Sequence, residues 1–171
     1  PEEIFMRTKR YTLKNSSRSI KVAIVGCGKI AEAHAEVIRS FARAARLVAT
    51  CDKELLMAKQ LAERFGTKSF YDDLSTMLKE EHPDVVHITT PPQSHYELAK
   101  TCLEAGRHVF VEKPFTVNVT EAMELIDLAT TNNLKLTVGN DEQFSPVALE
   151  MRHLVKSGWL GGPPTHMDVY Y

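Results

Sequence analysis

The chain is 171 residues long, with 21 basic against 22 acidic side chains and a formal net charge of −1. This length is sufficient for one domain with a substantial core and marginal for two. The balanced charge gives the chain as a whole no excess positive charge to attract nucleic acid or an anionic membrane. No apolar run reaches the roughly 18 residues that predict a membrane-spanning helix. We therefore expect a globular protein with neither a nucleic-acid nor a membrane partner.

The first 19 residues are polar and basic, with five lysines and arginines and no helical or strand periodicity. They lack the apolar core and the small-residue cleavage site of a secretory signal. We interpret residues 1–19 as a flexible leader. A linker from a preceding module, a remnant of the expression vector, and a short nucleic-acid-binding segment are the alternatives.

Three cysteines, Cys27, Cys51 and Cys102, are the only ones in the chain. Their spacing matches neither a zinc site nor a Cys-x-x-Cys redox pair, so we predict no metal site. An odd number of cysteines, in segments with the pattern of strand ends and a helix face, is typical of reduced thiols in a cytosolic protein. We expect a cytoplasmic location.

From Ile20 onward, short apolar runs alternate with amphipathic stretches. The predicted strands cover residues 20–25, 47–51, 68–71, 84–90, 108–111 and 134–138. The predicted helices cover 29–41 and 54–65, then a helix opened by Asp72 or Asp73, one opened by a Ser94–Glu97 capping box and ending at Gly106, and one capped by Asn118. This alternation predicts an α/β domain with a doubly wound parallel sheet.

After Val138 the pattern changes. Ser145–Pro146 is a typical helix start, and that helix is predicted to run to Gly158. Residues 165–171 alternate like a new strand. We predict a dinucleotide-type domain over 20–139, followed over 140–171 by a linker helix and the first strand of a second, truncated α+β domain.

The residues after the first strand form the pattern Gly26-Cys-Gly28-Lys-Ile-Ala31. In such a Gly-x-Gly-x-x-Ala turn, the first glycine permits the tight turn and the second lets a pyrophosphate approach the backbone. The small third residue lets the helix pack on the strand. The N-terminus of the helix then offers free N–H groups to the phosphates. The pattern predicts a Rossmann-type dinucleotide site.

Asp52 follows the second strand and lies 21 residues beyond Ala31, about the spacing of roughly 20 residues expected for the acid that binds the adenosine ribose. A carboxylate there favours NAD, because it repels the 2′-phosphate of NADP. The neighbouring Lys53 can accommodate that phosphate, so NADP stays an alternative. Two other interpretations are a plain βα turn in which Asp52 caps the next helix, and a site for S-adenosylmethionine.

Three further segments identify a family. TTPPQSH (89–95) follows the fourth strand, EAGRHVFVEKPF (104–115) contains the fifth, and HLVKSGWLGGPPTHMDV (153–169) follows the last helix. Together with the glycine turn they resemble the Gfo/Idh/MocA oxidoreductases, named for glucose-fructose oxidoreductase, inositol dehydrogenase and a rhizopine-catabolism protein. The resemblance covers nearly all of residues 20–171.

This resemblance implies roles for individual residues. Lys113 lies at the nicotinamide and assists proton transfer at the substrate hydroxyl, and its bond to Pro114 is often cis. Glu112 lines the nicotinamide ribose. The predicted cofactor contacts are Gly26, Gly28, Lys29, Ile30, Ala31, Asp52, Lys53, Thr90, Pro91, Pro92, His95, Glu112 and Lys113. For His95, a solvated position at a helix start is the alternative. The histidines at 34, 82, 87 and 108 are interpreted as structural.

The stretch Gly139–Pro146 departs from the family pattern, which is basic before its phenylalanine. Here Asp141, Glu142 and Gln143 occupy those positions. This places in doubt a carboxylate or phosphate on the substrate, whereas a neutral polyol or sugar fits. The family's second domain supplies an Asp and a His as partners of Lys113 and the interface of a homo-oligomer, so both are expected beyond residue 171.

We therefore predict an NAD(P)-dependent oxidoreductase acting on a secondary hydroxyl of a sugar or cyclitol. The chain itself is expected to bind the dinucleotide without turning over substrate. The alternatives are a non-catalytic dinucleotide-sensing or interaction module and an NAD-dependent glycosidase of the same family.

Overall fold

A computed structural model describes residues 18–159, 161–163 and 166. The predicted leader, apart from its last two residues, and the predicted strand at 165–171, apart from His166, lie outside the described residues. Within the part that the structure describes, no helix is long and apolar enough to cross a membrane.

Strands and helices alternate along the chain as the sequence predicts. The strands are β1 (Ile20–Val25), β2 (Ala45–Cys51), β3 (Ser69–Tyr71), β4 (Val85–Ile88), β5 (His108–Glu112) and β6 (Leu136–Gly139). The helices are α1 (Lys29–Ser40), α2 (Leu55–Phe65), α3 (Leu74–Glu81), α4 (His95–Glu104), α5 (Val119–Thr131) and α6 (Pro146–Lys156). The six strands form one sheet in the order β3-β2-β1-β4-β5-β6, which confirms the doubly wound α/β fold.

Four of the strand pairs, β1–β2, β1–β4, β2–β3 and β4–β5, are parallel. Two hydrophobic clusters form the core. One contains side chains of β1, α1 and α2, among them Ile24, Ala35 and Leu61. The other contains side chains of β4, β5, α3, α4 and α5, among them Ile88 and Leu103. Helices therefore cover both faces of the sheet, and the last four residues of β1 and of β2 are buried on both sides.

Most of the predicted helix ends are confirmed. Asp73 accepts a hydrogen bond from the Thr76 N–H (2.7 Å), and Asn118 accepts one from the Glu121 N–H (2.9 Å). The C-cap Gly66 has a φ of 76°. The capping box predicted at Ser94 is wrong, because a single 3-10 turn (Pro92–Ser94) precedes α4 and the Ser94 side chain does not cap that helix.

Contacts divide the chain into two compact units, one ending at Val138 and the other beginning at Gly139. In the second unit a 3-10 turn over Asp141–Phe144 precedes α6. The predicted start of α6 is confirmed, since Ser145 caps the helix by accepting a hydrogen bond from the Ala148 N–H at 3.2 Å.

Candidate functional site

The sheet reverses its winding between β1 and β4. The strand after β1 is added on one side of this pair, and the strand after β4 is added on the other. In open α/β sheets such a switch point leaves a crevice at the carboxyl ends of the two strands, where ligands bind. The glycine turn that follows β1 and the Thr-Pro-Pro turn that follows β4 meet here. The Thr89 hydroxyl donates to the Gly26 carbonyl (2.6 Å), and the Thr89 N–H donates to the Val25 carbonyl (2.8 Å).

Gly26 is the point of closest approach between these two turns. Its φ is +91°, a conformation that residues with a Cβ rarely adopt. A Cβ on Gly26 would lie 2.6 Å from Thr90 Cγ2 and 2.8 Å from the Thr90 nitrogen. The first glycine of the motif is thus required by both its backbone conformation and the space available to it.

Gly28 has the opposite surroundings. It is the N-cap of α1, is exposed, and has open space for 4 Å around the position of a Cβ. No side chain caps the helix, so the N–H groups of Lys29 and Ile30 keep their capacity to bind an anion, whereas that of Ala31 donates to the Gly28 carbonyl at 3.1 Å. Ala31 is fully buried, which lets α1 pack closely on the sheet. This arrangement fits a bound pyrophosphate.

Asp52 lies beside the glycine turn, although 25 residues separate it from Cys27 in the sequence. One carboxylate oxygen accepts the Cys27 N–H (2.6 Å) and the other accepts the Glu54 N–H (2.9 Å). The N-cap of α2 is Glu54, so Asp52 bonds to the N-cap residue of that helix without being the cap itself. A carboxylate has about four lone-pair sites, and the remaining two are available to ribose hydroxyls. The adjacent Lys53 is exposed.

The three cysteines are free and buried, as predicted for reduced thiols. Burial raises the pKa of Cys27, inside the glycine turn, to about 12. It does the same for Cys51 and Cys102. All three are neutral thiols at physiological pH, which makes them poor nucleophiles and poor metal ligands.

Lys113 follows the last residue of β5 and is exposed. Among the described residues, its ammonium has no hydrogen bond or ion pair. The Lys113–Pro114 peptide bond is cis, in agreement with the family resemblance. The preceding Glu112 accepts the backbone N–H of Lys113 through Oε2 at 3.3 Å. The structure therefore places an exposed lysine directly after a carboxylate at the carboxyl end of β5.

Two histidines that the sequence analysis treated as structural support Glu112. His34 on α1 lies with Nε2 3.0 Å from Glu112 Oε1 and with Nδ1 3.0 Å from His87 Nδ1. The His87 ring stacks on Phe110 with centroids 4.9 Å apart. The sequence does contain a signal for His34, because it lies three residues after Ala31 and four before Ile38, which are both buried on one face of α1. The strand register that aligns His87 with Phe110 is not visible in the sequence.

Burial, together with the neighbouring His34, lowers the pKa of His87 from 6.5 to about 4. His87 is therefore neutral in the folded protein at physiological pH, and one of the two facing Nδ1 atoms carries a hydrogen and donates a hydrogen bond to the other. A histidine whose pKa is lower in the folded state stabilises the fold above its unfolded pKa of 6.5, and this stability is lost as the pH falls towards 4.

We expect the free energy of unfolding to fall by about 3 kcal/mol because of His87 as the pH is lowered from 7 to below 4. Urea titrations at a series of pH values measure this loss, and His87→Phe, which retains an aromatic ring against Phe110, should remove it. His153→Gln is the matched control, and it should keep the acid dependence of the wild type because His153 is exposed on α6. An equally steep acid dependence in wild type and His87→Phe would contradict this assignment.

His95 is fully buried, with a relative exposure of 0%. Its Nδ1 lies 2.8 Å from the Pro114 carbonyl oxygen and its Nε2 lies 2.9 Å from the Thr90 carbonyl oxygen. Since neither ring nitrogen is accessible to a ligand, this placement does not support the predicted contact with the cofactor or the alternative of a solvated residue. Thr90 itself is half-buried, and its hydroxyl accepts a hydrogen bond from Ser94 (2.8 Å).

A sequence profile described as an oxidoreductase family with an NAD-binding Rossmann fold, Gfo/Idh/MocA, matches residues 20–140. The chain belongs to this family. Residues 20–140 are accordingly an NAD-binding Rossmann domain. Among curated Gfo/Idh/MocA relatives, D-glucoside 3-dehydrogenase of Escherichia coli K12 is 35% identical over 146 residues, covering 85% of this chain and 42% of the relative. The scyllo-inositol 2-dehydrogenase (NAD(+)) of Bacillus subtilis 168 is 26% identical over 152 residues, covering 89% and 43%.

Two solved structures of dehydrogenases share the fold. The WlbA dehydrogenase of Chromobacterium violaceum, in complex with NADH and UDP-GlcNAcA, has a TM-score of 0.80 at 28% identity, covering 84% of this chain and 41% of that one. The scyllo-inositol dehydrogenase of Lactobacillus casei, with bound NAD(H) and scyllo-inositol, has a TM-score of 0.78 at 26% identity, covering 84% and 43%. The chain thus spans less than half the length of these relatives.

Proposed function

We propose that this chain is the cofactor-binding part of an NAD(P)-dependent oxidoreductase that acts on a secondary hydroxyl of a sugar or cyclitol. The observation that carries the proposal is the meeting of two turns at the switch point. There Gly26 packs against Thr90, and Gly28 leaves open space over the N-terminus of α1. Relatives named as glucoside and inositol dehydrogenases support the substrate class.

The residues divide into those that hold the cofactor and one that acts on the substrate. The glycine turn binds the pyrophosphate through the backbone N–H groups of Gly28, Lys29 and Ile30, because the Cys27 N–H already donates to Asp52. Asp52 accepts the hydroxyls of the adenosine ribose, and Glu112 accepts those of the nicotinamide ribose. The Thr-Pro-Pro turn, Thr90–Pro92, lines the crevice between them.

The bound nicotinamide supplies a hydride acceptor. Lys113 supplies a proton acceptor, since the substrate hydroxyl must lose its proton as hydride leaves the carbinol carbon. In the neutral amine form, Lys113 takes this proton and becomes an ammonium. The absence of an ion pair on Lys113, among the described residues, leaves its nitrogen available for this role.

Titration of the chain with NADH and NADPH, followed by the fluorescence of the reduced nicotinamide, tests the cofactor assignment. We expect NADH to bind at least about tenfold more tightly, because the Asp52 carboxylate repels a 2′-phosphate. Asp52→Asn keeps one oxygen acceptor and removes the charge, so it should weaken NADH binding and abolish the preference.

Asp72→Asn is the matched control for this titration, because Asp72 is exposed in the loop after β3 and should leave both affinities unchanged. Tighter binding of NADPH to the wild-type chain would contradict the role of Asp52. Binding of neither nucleotide would overturn the proposed function itself.

A further inference from the structure

His95 is a fully buried polar side chain that the proposed reaction does not use. It is the first residue of α4, and each of its ring nitrogens faces a main-chain carbonyl oxygen, that of Pro114 at 2.8 Å and that of Thr90 at 2.9 Å. Carbonyl oxygens only accept hydrogen bonds, whereas a neutral imidazole has one N–H donor and one acceptor nitrogen. A neutral ring would therefore direct a nitrogen lone pair at an oxygen lone pair, in a position with no exposure to water.

Both contacts are satisfied only if both ring nitrogens carry a proton. The ring is then an imidazolium, and its charge-assisted hydrogen bonds to the two carbonyl dipoles offset the cost of burying the charge. His87 differs, because its Nδ1 faces a ring nitrogen of another histidine. The geometry thus points to a doubly protonated His95.

The two carbonyls belong to the two turns of the candidate site. Thr90 is in van der Waals contact range of Gly26 in the glycine turn, and Pro114 directly follows Lys113. Thr90 and Pro114 both lie beyond the last residue pair of the parallel β4–β5 ladder, which is Ile88 with Val111. His95 therefore joins two segments that the sheet itself no longer holds together.

We propose that His95 is a positioning residue, a buried imidazolium that cross-links the carbonyls of Thr90 and Pro114 and so holds Lys113 in place beside the glycine turn. The effect of His95 on cofactor binding rests on the proposed function, because the segment that His95 holds is the one that we assign to the nicotinamide half of the cofactor. Binding of the ADP half, which the glycine turn and Asp52 hold, depends less on His95.

The protonation state is measured directly on the wild-type chain. Long-range ¹H–¹⁵N spectra of protein labelled with ¹⁵N-histidine, recorded at neutral pH, should show both ring nitrogens of His95 protonated and their protons protected from exchange. An unprotonated ring nitrogen would overturn the proposed cross-link. This measurement requires neither a variant nor a nucleotide.

The positioning role is measured with His95→Phe, which retains a ring and donates no hydrogen bond. We expect NADH affinity to fall about tenfold, while ADP affinity stays within about twofold of wild type. General loss of structure would weaken both ligands together. If circular dichroism shows that His95→Phe is unfolded, His95→Gln, which donates through a single nitrogen, takes its place.

His108→Phe is the matched control. The His108 ring accepts the Lys135 N–H (3.0 Å) at the amino end of β5, far along the strand from Lys113, and its loss should leave the ratio of NADH to ADP affinity unchanged. An unchanged ratio in the folded His95 variant, or an equal loss for both ligands, would overturn the positioning role. Failure of wild type to bind either NADH or ADP would instead contradict the proposed function, and the spectra would still decide the protonation of His95.

Discussion

Replacing Gly26 by alanine is expected to abolish NADH binding and to lower the free energy of unfolding by about 2–6 kcal/mol. Two effects add. Alanine at a φ of +91° is strained, and its Cβ would overlap the Thr90 nitrogen and Cγ2, at 2.8 and 2.6 Å. Because one of these atoms is backbone, the overlap is relieved only by moving the Thr-Pro-Pro turn away from the glycine turn. Thermal unfolding and NADH titration measure the two losses.

Variants of two other glycines distinguish the effect of backbone strain from the effect of steric overlap. Gly66 has a φ of +76° and open space around it, so Gly66→Ala should cost only about 1–2 kcal/mol and leave NADH affinity intact. Gly28→Ala introduces neither backbone strain nor steric overlap in the free protein, yet its methyl group would occupy the space proposed for the pyrophosphate. We expect Gly28→Ala to retain stability and to lose NADH affinity. Normal NADH binding by Gly26→Ala or Gly28→Ala would show that the cofactor does not lie on this turn.

Replacing Lys113 by alanine is expected to lower hydride transfer by about 10²–10⁴-fold, the usual contribution of a general base. The measurement uses the protein in which this domain is joined to the substrate domain that we propose, with a panel of sugars and cyclitols and NAD reduction as the signal. NADH affinity should change little, because Lys113 is assigned to the substrate hydroxyl and not to the phosphates. Lys113→Arg should be equally inactive, since a guanidinium stays protonated and accepts no proton.

Lys59→Ala is the control for the loss of a lysine, because Lys59 is exposed on α2, where it pairs with Glu63. Activity of Lys113→Ala equal to wild type on every substrate that wild type oxidises would contradict the catalytic role. The absence of any activity in wild type, with NADH still bound, would favour the non-catalytic sensing or interaction module. A wild type that cleaves glycosides without net reduction of NAD would favour the glycosidase alternative.

The sequence by itself determined the order and type of the elements, because the patterns that encode them are local. Apolar periodicity predicts each strand and helix from its own residues, and the caps at Asp73, Asn118 and Ser145 bind N–H groups three residues away. The glycine turn was visible for the same reason. Ser94 shows where such local reasoning ends, since its hydroxyl bonds to Thr90 and the Pro91 carbonyl instead of capping α4.

Only the tertiary structure decided how the site residues meet. His34 bonds to residues 53 and 78 positions away, and His95 bonds to a carbonyl 19 positions away. These contacts depend on the order and register of the strands and on the position along the strands at which each helix packs. No local pattern encodes either. For that reason the sequence predicted a dinucleotide turn at Gly26 and, through the family resemblance alone, a reactive Lys113. The folded chain added His34, which holds Glu112, and the buried His95, which in our proposal holds Lys113 beside that turn.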